Sequence, residues 1–410
     1  MRKVFKYLST VLAVALVAVL IAGIIGPVEI QAASKKTVRV LTQAELNKAL
    51  KNSKVGTIIL RTSTYDKITI NSKKAKKKKI IIDAPSANIE NKSKFKSVEV
   101  QSAATYTENV SGNTITYWYS DYMIIADGCK VKKLIMKTFD TDYIVGKGAS
   151  IATLQYDLDG KKSSVDKKTG NLKVTSTFYI GEYWNYEEVD VVYDVTLDES
   201  GRITSLSFKN PEDGIVYNTA VKYDEYGNFT EIKESDSKGN VIRTKTLKYD
   251  KNHNLTFSKN DDKDEVSSSS YTYDSEGRYT SLSYESGYYI IKNTFEYDKN
   301  GRVSKRHTYS EYTYPGSEFV TEYTTENTYD KKGFLISYYE SYSDGHTSTM
   351  LNEYDKSGNN TYSCREEVMA DGNTVKYEYK YTYDKYGEVK DSYMKFPYDD
   401  EWTNMDDLGD

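Results

Sequence analysis

Only two cysteines, three histidines and five prolines occur among 410 residues. Cys129 and Cys364 stand 235 positions apart, which excludes a disulfide framework and predicts two buried, unpaired thiols. His253, His307 and His346 show neither metal-ligand spacing nor a catalytic-triad order. No glycine-rich phosphate loop occurs. Asp261–Glu265 lacks the spaced ligands of a calcium loop, so solvated turn charge is its expected role. Neither a metal nor a cofactor is expected. Aliphatic residues are scarce as well, with a mean hydropathy of -0.67, which excludes a thick aliphatic core throughout.

What is present is unevenly distributed. Arg2, Lys3 and Lys6 precede an apolar run from Leu8 to Ile25, and Ile30-Gln31-Ala32-Ala33 supplies small residues for cleavage. Residues 1–32 therefore read as an export signal rather than a retained membrane anchor. No cysteine lies near the cleavage site and Glu401 to Asp410 has no apolar tail, so neither a lipid anchor nor stable membrane insertion is expected. The product is expected to be secreted or on the cell surface. Residues 34–100 carry a net charge of +12 and residues 101–410 a net charge of -18. Such a split predicts two surfaces with different partners.

Residues 33–160 open with Thr42-Gln43-Ala44-Glu45, a capping box, followed by Leu46 and Leu50 on one helical face. Short β-rich runs follow at Thr57 to Leu60, Lys67 to Ile70, Ile80 to Ile82, Ser97 to Val100, Tyr122 to Ile125 and Leu134 to Met136. They lack strong hairpin turns between them, which predicts a right-handed parallel β-helix capped by the amphipathic helix. The opening residues, Thr37-Val38-Arg39-Val40 through Thr57-Ile58-Ile59-Leu60, resemble the first rung of pectate-lyase-like β-helices. That resemblance implies weighing a polysaccharide lyase. Asp66, Asp83 and Glu90 are isolated rather than clustered, however, and about 120 residues supply too few rungs for a catalytic β-helix. An enzyme is not expected. Lys73, Lys74, Lys76, Lys77, Lys78 and Lys79 precede the apolar run at Ile80. They read as a solvated loop guarding a β-rich segment, or as a site for an anionic polymer. No aromatic or glycine-rich motif points to nucleic acid.

After a transition over residues 161–194, a phrase Tyr-Asp-x-x-Gly-[Asn/Arg] recurs across residues 195–395. It stands at Tyr223, Tyr273, Tyr297 and Tyr354, with looser copies at Tyr249, Tyr329 and Tyr383 and a worn first copy at Leu197. Successive starts lie 26, 26, 24, 24, 32, 25 and 29 residues apart, the period of a repeat architecture in which no unit folds alone. Asp-x-x-Gly suits a type I turn followed by a left-handed residue, closing a hairpin with a bulge. That register places Tyr223 opposite Phe229, Tyr249 opposite Leu255, Tyr273 opposite Tyr279, Tyr297 opposite Val303, Tyr329 opposite Leu335 and Tyr383 opposite Val389. Only Tyr354, opposite Asn360, lacks an apolar partner. The variable second turns absorb the changes in period, so one sheet edge is regular and the other irregular. The fold class is all-β: a short parallel β-helix-like module, then an antiparallel hairpin array, then an acidic tail over residues 396–410.

The array resembles the YD-repeat, or RHS-repeat, family, Tyr273 to Arg278 and Tyr297 to Arg302 being the closest matches. That resemblance implies an exported or surface protein whose hairpins form a large sheet or shell. Some relatives carry toxins sealed by a self-cleaving Asp-Pro-x-x-Gly segment; the five prolines here include no Asp-Pro, so cargo and self-cleavage are not implied. Choline-type wall-binding repeats are similar in physics only, since Trp118, Trp184 and Trp402 fall outside the register.

Of 40 tyrosines, 28 lie after residue 195. Tyr377, Tyr379, Tyr381 and Tyr383 alternate along one strand and share a face. Tyr288, Tyr289, Tyr338, Tyr339 and Tyr342 sit off the paired positions. Phenol faces suit stacking on sugar rings, while the same residues also stabilise thin sheets. The expectation is a non-catalytic surface or secreted protein whose array binds a glycan or cell-wall polymer. A structural spacer or protein-binding adhesion scaffold is the alternative, acting through sheet edges on a protein partner.

Overall fold

The computed structural model describes residues 35–405, except residues 65, 121, 140–142, 183–184, 264, 385–388 and 398–400, and only the backbone of residues 181–182 and 185–186. The expected export segment, Trp184, Asp264 and the end of the acidic tail lie outside the described residues. Among the described residues, no helix is long and apolar enough to cross a membrane.

The first module is a stack of parallel rungs. On one face Lys36–Val40, Val55–Arg61, Lys79–Asn91, Ser97–Glu108, Thr114–Tyr117, Lys133–Met136 and Leu154–Leu158 pair in that order. The longer strands bend to supply a second face, where Lys67–Ile70, Tyr122–Ile125 and Tyr143–Val145 join them. Strand alternation explains the core: every second residue points inward, and register stacks like on like. One buried column runs Ile58, Ile80, Val98, Ile115, Leu134, Leu154, and the next runs Leu60, Ile82, Val100, Tyr117, Met136, Tyr156. Each such side chain contributes about 1.5–3 kcal/mol by leaving water.

On the second face the column Ile70, Asn91, Glu108, Ile125, Val145 is interrupted by two polar residues. Glu108 is fully buried and accepts from Asn91 Nδ2, Tyr106 Oη, Val110 N and Asn113 Nδ2 at 2.8 to 3.1 Å. Burial pushes its carboxyl pKa up, and these donors oppose that rise. The network fixes the chain where it turns out of the second face.

Both ends of the stack are closed. At the start, Gln43–Lys51 is a helix whose N-cap, Thr42, accepts from Glu45 N at 3.3 Å, and Leu46, Ala49 and Leu50 are buried against the first rungs. Glu45 departs from the expected capping box by reaching the N–H of Leu41, one residue further back, at 2.8 Å. At the other end, Leu172, Val174, Val195 and Ile203 complete the same core. These residues belong to the first strands of a 19-stranded antiparallel sheet running from Ser164 to Asn404. The sheet thus starts ahead of the first Tyr-Asp phrase and covers the last rung.

The hairpin registers match the sequence expectation: Tyr223 pairs with Phe229, Tyr249 with Leu255, Tyr273 with Tyr279, Tyr297 with Val303, Tyr329 with Leu335, Tyr354 with Asn360 and Tyr383 with Val389. A bulge precedes every pair. Asp298 shows how the turn closes. Its Oδ1 accepts from Asn300 N and Arg302 N at 2.8 and 3.0 Å, and its Oδ2 accepts from Arg302 Nε at 2.9 Å. Asp224 with Asn228, Asp274 with Arg278 and Asp355 with Asn359 repeat this arrangement. The sixth residue of the phrase is Asn or Arg because its side chain donates back to the turn aspartate.

The regular edge of the sheet is seated on the β-helix. Ile151 N donates to Ser200 O at 2.9 Å, and Tyr143 Oη donates to Gly201 O at 2.9 Å. Lys147 reaches Glu225 at 3.4 Å and lies over the Tyr226 ring. Arg302 Nε approaches Asp66 at 3.9 Å, and Gly358 abuts Leu41. Later hairpins therefore meet earlier rungs. The seven described turns, spaced two strands apart, need about 58 Å of flat sheet edge, whereas seven rungs stack over about 29 Å. The line of turns accordingly winds around the β-helix, from the corner at Ile151 across the second face to the helix-capped end.

The turn aspartates make stability pH-dependent. Burial alone would raise the carboxyls of Asp274 and Asp298, but backbone N–H donors and the neighbouring arginines hold both below the usual value. A lowered folded pKa contributes stability above the unfolded value, and that contribution disappears as pH falls through the folded one. Replacing both by Asn (Asp274→Asn, Asp298→Asn) should reduce urea resistance at neutral pH, and the gap from wild type should close below about pH 4. A gap independent of pH contradicts this assignment.

Candidate functional site

Because the sheet edge winds around the rungs, a cleft of about 880 Å³ opens between the array and the outward side of the β-helix's second face. Tyr119, Tyr122, Ile124 and Ile144 line it from the rungs; Tyr249, Tyr271, Tyr273, Tyr279 and Tyr297 line it from the hairpins. Lys245, His253, Arg278 and Arg302 add nitrogen donors, and the described lining residues include no carboxylate. Two features build the aromatic wall. Strand alternation puts Tyr271 beside Tyr273 on one face, and the cross-strand pair brings Tyr279 against both, at 5.8 and 4.9 Å between ring centres. Tyr122 lines the same cleft from the β-helix side. Burial pushes the Tyr273 phenol up to about 12 and raises that of Tyr279 further, so both remain neutral donors at any physiological pH. Tyr119 and Tyr122 are 58% and 42% exposed to solvent.

Two of these groups, Arg278 and Arg302, are neutralised within the turns. Arg278 binds Asp274 at 2.7 Å and lies over the Tyr297 ring; Arg302 binds Asp298 at 2.9 Å and lies over Tyr329. The cleft therefore offers mainly flat aromatic surface, hydroxyls and amides, with Lys245 and His253 as further nitrogen donors. That chemistry suits stacking and hydrogen bonding to an uncharged polyhydroxylated ligand.

The repeated tyrosines have a second duty absent from the sequence reading. Tyr273 Oη donates to Leu255 O at 2.7 Å, Tyr297 Oη to Tyr279 O at 2.7 Å and Tyr383 Oη to Asn360 O at 2.7 Å. Tyr223, Tyr329 and Tyr354 do the same to Ile203, Val303 and Leu335. Each acceptor is the residue six places after the preceding phrase begins. Every such hydroxyl latches one hairpin to the one before it, and the Arg at position six covers the next tyrosine ring.

The nine tyrosines singled out from sequence fall outside this cleft. Tyr383 is a latch like Tyr273 and Tyr297, its hydroxyl donating to Asn360 O. Tyr377, Tyr379 and Tyr381 share its face as expected, half-buried opposite Arg365, Ser363 and Ser392. Tyr338 and Tyr342 lie on the face of Tyr329, while Tyr339 faces the other way at 43% exposure. Tyr342 stacks on Tyr323 at 4.8 Å and on His346 at 4.7 Å. Tyr288 meets Tyr314 edge-on at 5.1 Å on the irregular edge, and Tyr289 accepts from Ser310 Oγ at 3.1 Å.

The lysine run is not a loop. Lys73–Lys77 is a 3-10 helix anchored by fully buried Ala75. Lys78 is buried, its Nζ donating to Asn52 O at 2.6 Å and Val55 O at 2.7 Å, and Lys79 is a strand residue bridged to Glu99 at 2.7 Å. Lys78 and Lys79 therefore drop out of the expected polyanion site, because the rung needs the first to satisfy corner carbonyls and the second to pair across strands. Cys129 and Cys364 are both buried and unpaired.

No family model matches this chain, and no curated protein matches it. Solved structures similar to part of it include a TcdB2-TccC3-Cdc42 complex, at 11% identity over 58% of this chain and 17% of that one, with a TM-score of 0.29. A TcdB2-TccC3 structure matches at 11% identity over 57% and 18%, also with a TM-score of 0.29. A porin-like protein from Bacteroides uniformis ATCC 8492 matches at 14% identity over 50% and 93%, with a TM-score of 0.24. The chain spans less than a fifth of the first two, and overlap this low says nothing of activity.

The latch assignment separates two kinds of tyrosine. Tyr297→Phe should lower unfolding stability by about 0.5–1.5 kcal/mol, whereas Tyr377→Phe should leave the urea midpoint unchanged. Equal losses in chemical denaturation refute the distinction.

Proposed function

We propose that this chain is an exported, non-catalytic surface or secreted protein that binds an uncharged glycan. The ligand lies in the tyrosine-walled cleft between the β-helix and the hairpin array. One observation carries this reading: tyrosines from two separate modules converge on a single cleft whose described lining residues include no carboxylate. A wall built from both modules holds its rings in place before a ligand arrives, which lowers the ordering cost of binding. The leading basic and apolar residues support export, and the Tyr-Asp phrase supports kinship with YD-repeat surface proteins. The paired state of Arg278 and Arg302 favours a neutral sugar over an acidic one.

A second reading rests on the irregular edge, where Tyr288, Tyr314, Phe319 and Val320 are 51%, 49%, 53% and 57% exposed. Apolar exposure at neighbouring turns suits a protein partner in an adhesion scaffold.

A glycan array and a cell-wall pulldown distinguish the two. Replacing Tyr119 and Tyr271 by Ala should weaken glycan binding by roughly tenfold, the loss of about two stacking contacts, while Tyr288→Ala with Phe319→Ala should leave it unchanged. Unaltered retention after the first pair of changes removes the cleft as the binding site.

A further inference from the structure

Stacking converts the scattered basic residues of the N-terminal module into one surface. Each rung turns through a corner, and the corners at residues 51–54, 71–78, 92–96, 109–113 and 126–132 lie on top of one another. Lys36 N donates to Lys54 O at 2.9 Å, Lys96 N to Lys78 O at 2.9 Å, Phe95 N to Asn113 Oδ1 at 2.9 Å, and Lys132 N to Asn113 O at 2.9 Å. Those five segments hold twelve lysines and a single carboxylate, Asp127. Asp127 is itself engaged, accepting from Lys147 N at 2.8 Å. Lys78 is buried, but Lys74, Lys77, Lys96 and Lys130 are exposed. The turns of the array meet the β-helix at Ile151, Val145, Asp66 and Leu41, outside these segments.

The geometry points to a binding surface for an extended, linear polyanion lying along the β-helix axis. Successive corners are about 4.8 Å apart and all but the one at 109–113 carry lysine, so positive charge is spread over about 20 Å, within reach of a polymer bearing one phosphodiester or carboxylate per unit. The composition of the stripe selects among polyanions. It contains lysine and no arginine, so it provides mobile point charges rather than the planar fork that fixes individual phosphates. Its only aromatic residue, Phe95, is buried, so unpaired bases have nothing to stack on. A flexible anionic polysaccharide or polyol phosphate meets these conditions better than a nucleic acid. The 3-10 helix at Lys73–Lys77 serves the surface by projecting lysines on both sides of buried Ala75. This surface is distinct from the tyrosine cleft and does not rest on the glycan reading.

The test is a titration of the full chain with three labelled probes, poly(glycerol phosphate), polygalacturonate and oligo(dT), at low and at physiological salt. Binding to at least one of the first two is expected, stronger than to oligo(dT) and weakening as salt rises. The triple variant Lys74→Glu, Lys77→Glu, Lys96→Glu should lose roughly tenfold or more in affinity. A charge-matched control on exposed array lysines, Lys238→Glu, Lys251→Glu, Lys356→Glu, should retain it. Failure of both anionic polymers to bind, an equal loss in the control, or tighter binding of oligo(dT) overturns the proposal. Loss confined to the Tyr119 and Tyr271 variant would do so too, by moving the polyanion into the cleft.

Discussion

The seating of the hairpin turns on the flank of the β-helix is the constraint from which the rest follows. A thin sheet of tyrosine, serine and threonine buries too little apolar surface to hold a fixed curvature by itself. Here its first strands complete the β-helix core through Leu172, Val174, Val195 and Ile203. Its regular edge is then pinned at both ends of the cleft, by Ser200 on Ile151 and Gly227 against Val145, and by Gly333 against Asp66 and Gly358 against Leu41. The pinning places the inner face of the hairpins across from the second face of the rungs and so creates the cleft. The tyrosine latches do the complementary work along the sheet, fixing each hairpin to its predecessor through a side chain and a carbonyl.

Much of this was legible in the sequence because it is local. Asp, Gly and the residue after it fix a turn within six positions, and the turn fixes the cross-strand pair, so Tyr223 opposite Phe229 follows from three residues. His253 in a glycine slot adopts a φ of 68°, consistent with the same turn chemistry. The helix cap at Thr42 and the alternating rungs are local in the same sense. What sequence reading missed is long-range. The acceptor of Tyr297 is the carbonyl of Tyr279, a main-chain atom with no sequence signature. Tyr119 and Tyr271 become neighbours in one cleft only once the winding of the sheet is known. Lys54, Lys77 and Lys96 look like separate surface charges until the rungs stack them. Sequence favoured Tyr377 to Tyr383 because four alternating phenols are conspicuous, yet the last of them is a latch and none lines the cleft.

The two modules thus divide their surfaces by charge as well as by fold. The β-helix carries its lysines at corners outside the segments that receive the docked turns, while the array places its aspartates into those turns, where backbone N–H groups and arginines satisfy them. The excess negative charge of the rear of the chain is therefore partly structural rather than a field awaiting a cationic partner. Glu108 expresses the same economy inside the rungs: a buried carboxylate organises the chain beneath a corner whose outer face is basic.

Two glycines with nearly the same backbone test the docking directly. Gly227 and Gly239 have φ of 87° and 85°, so an added side chain strains both turns alike. A Cβ on Gly227 would stand 1.9 Å from Val145 O on the β-helix, whereas one on Gly239 meets nothing within 4 Å. Urea denaturation of Gly227→Ala and Gly239→Ala should therefore show the first losing more than the second, by at least about 1 kcal/mol. Equal losses in the two variants would mean that the turns are not seated on the β-helix, and the account of the cleft would fail with them.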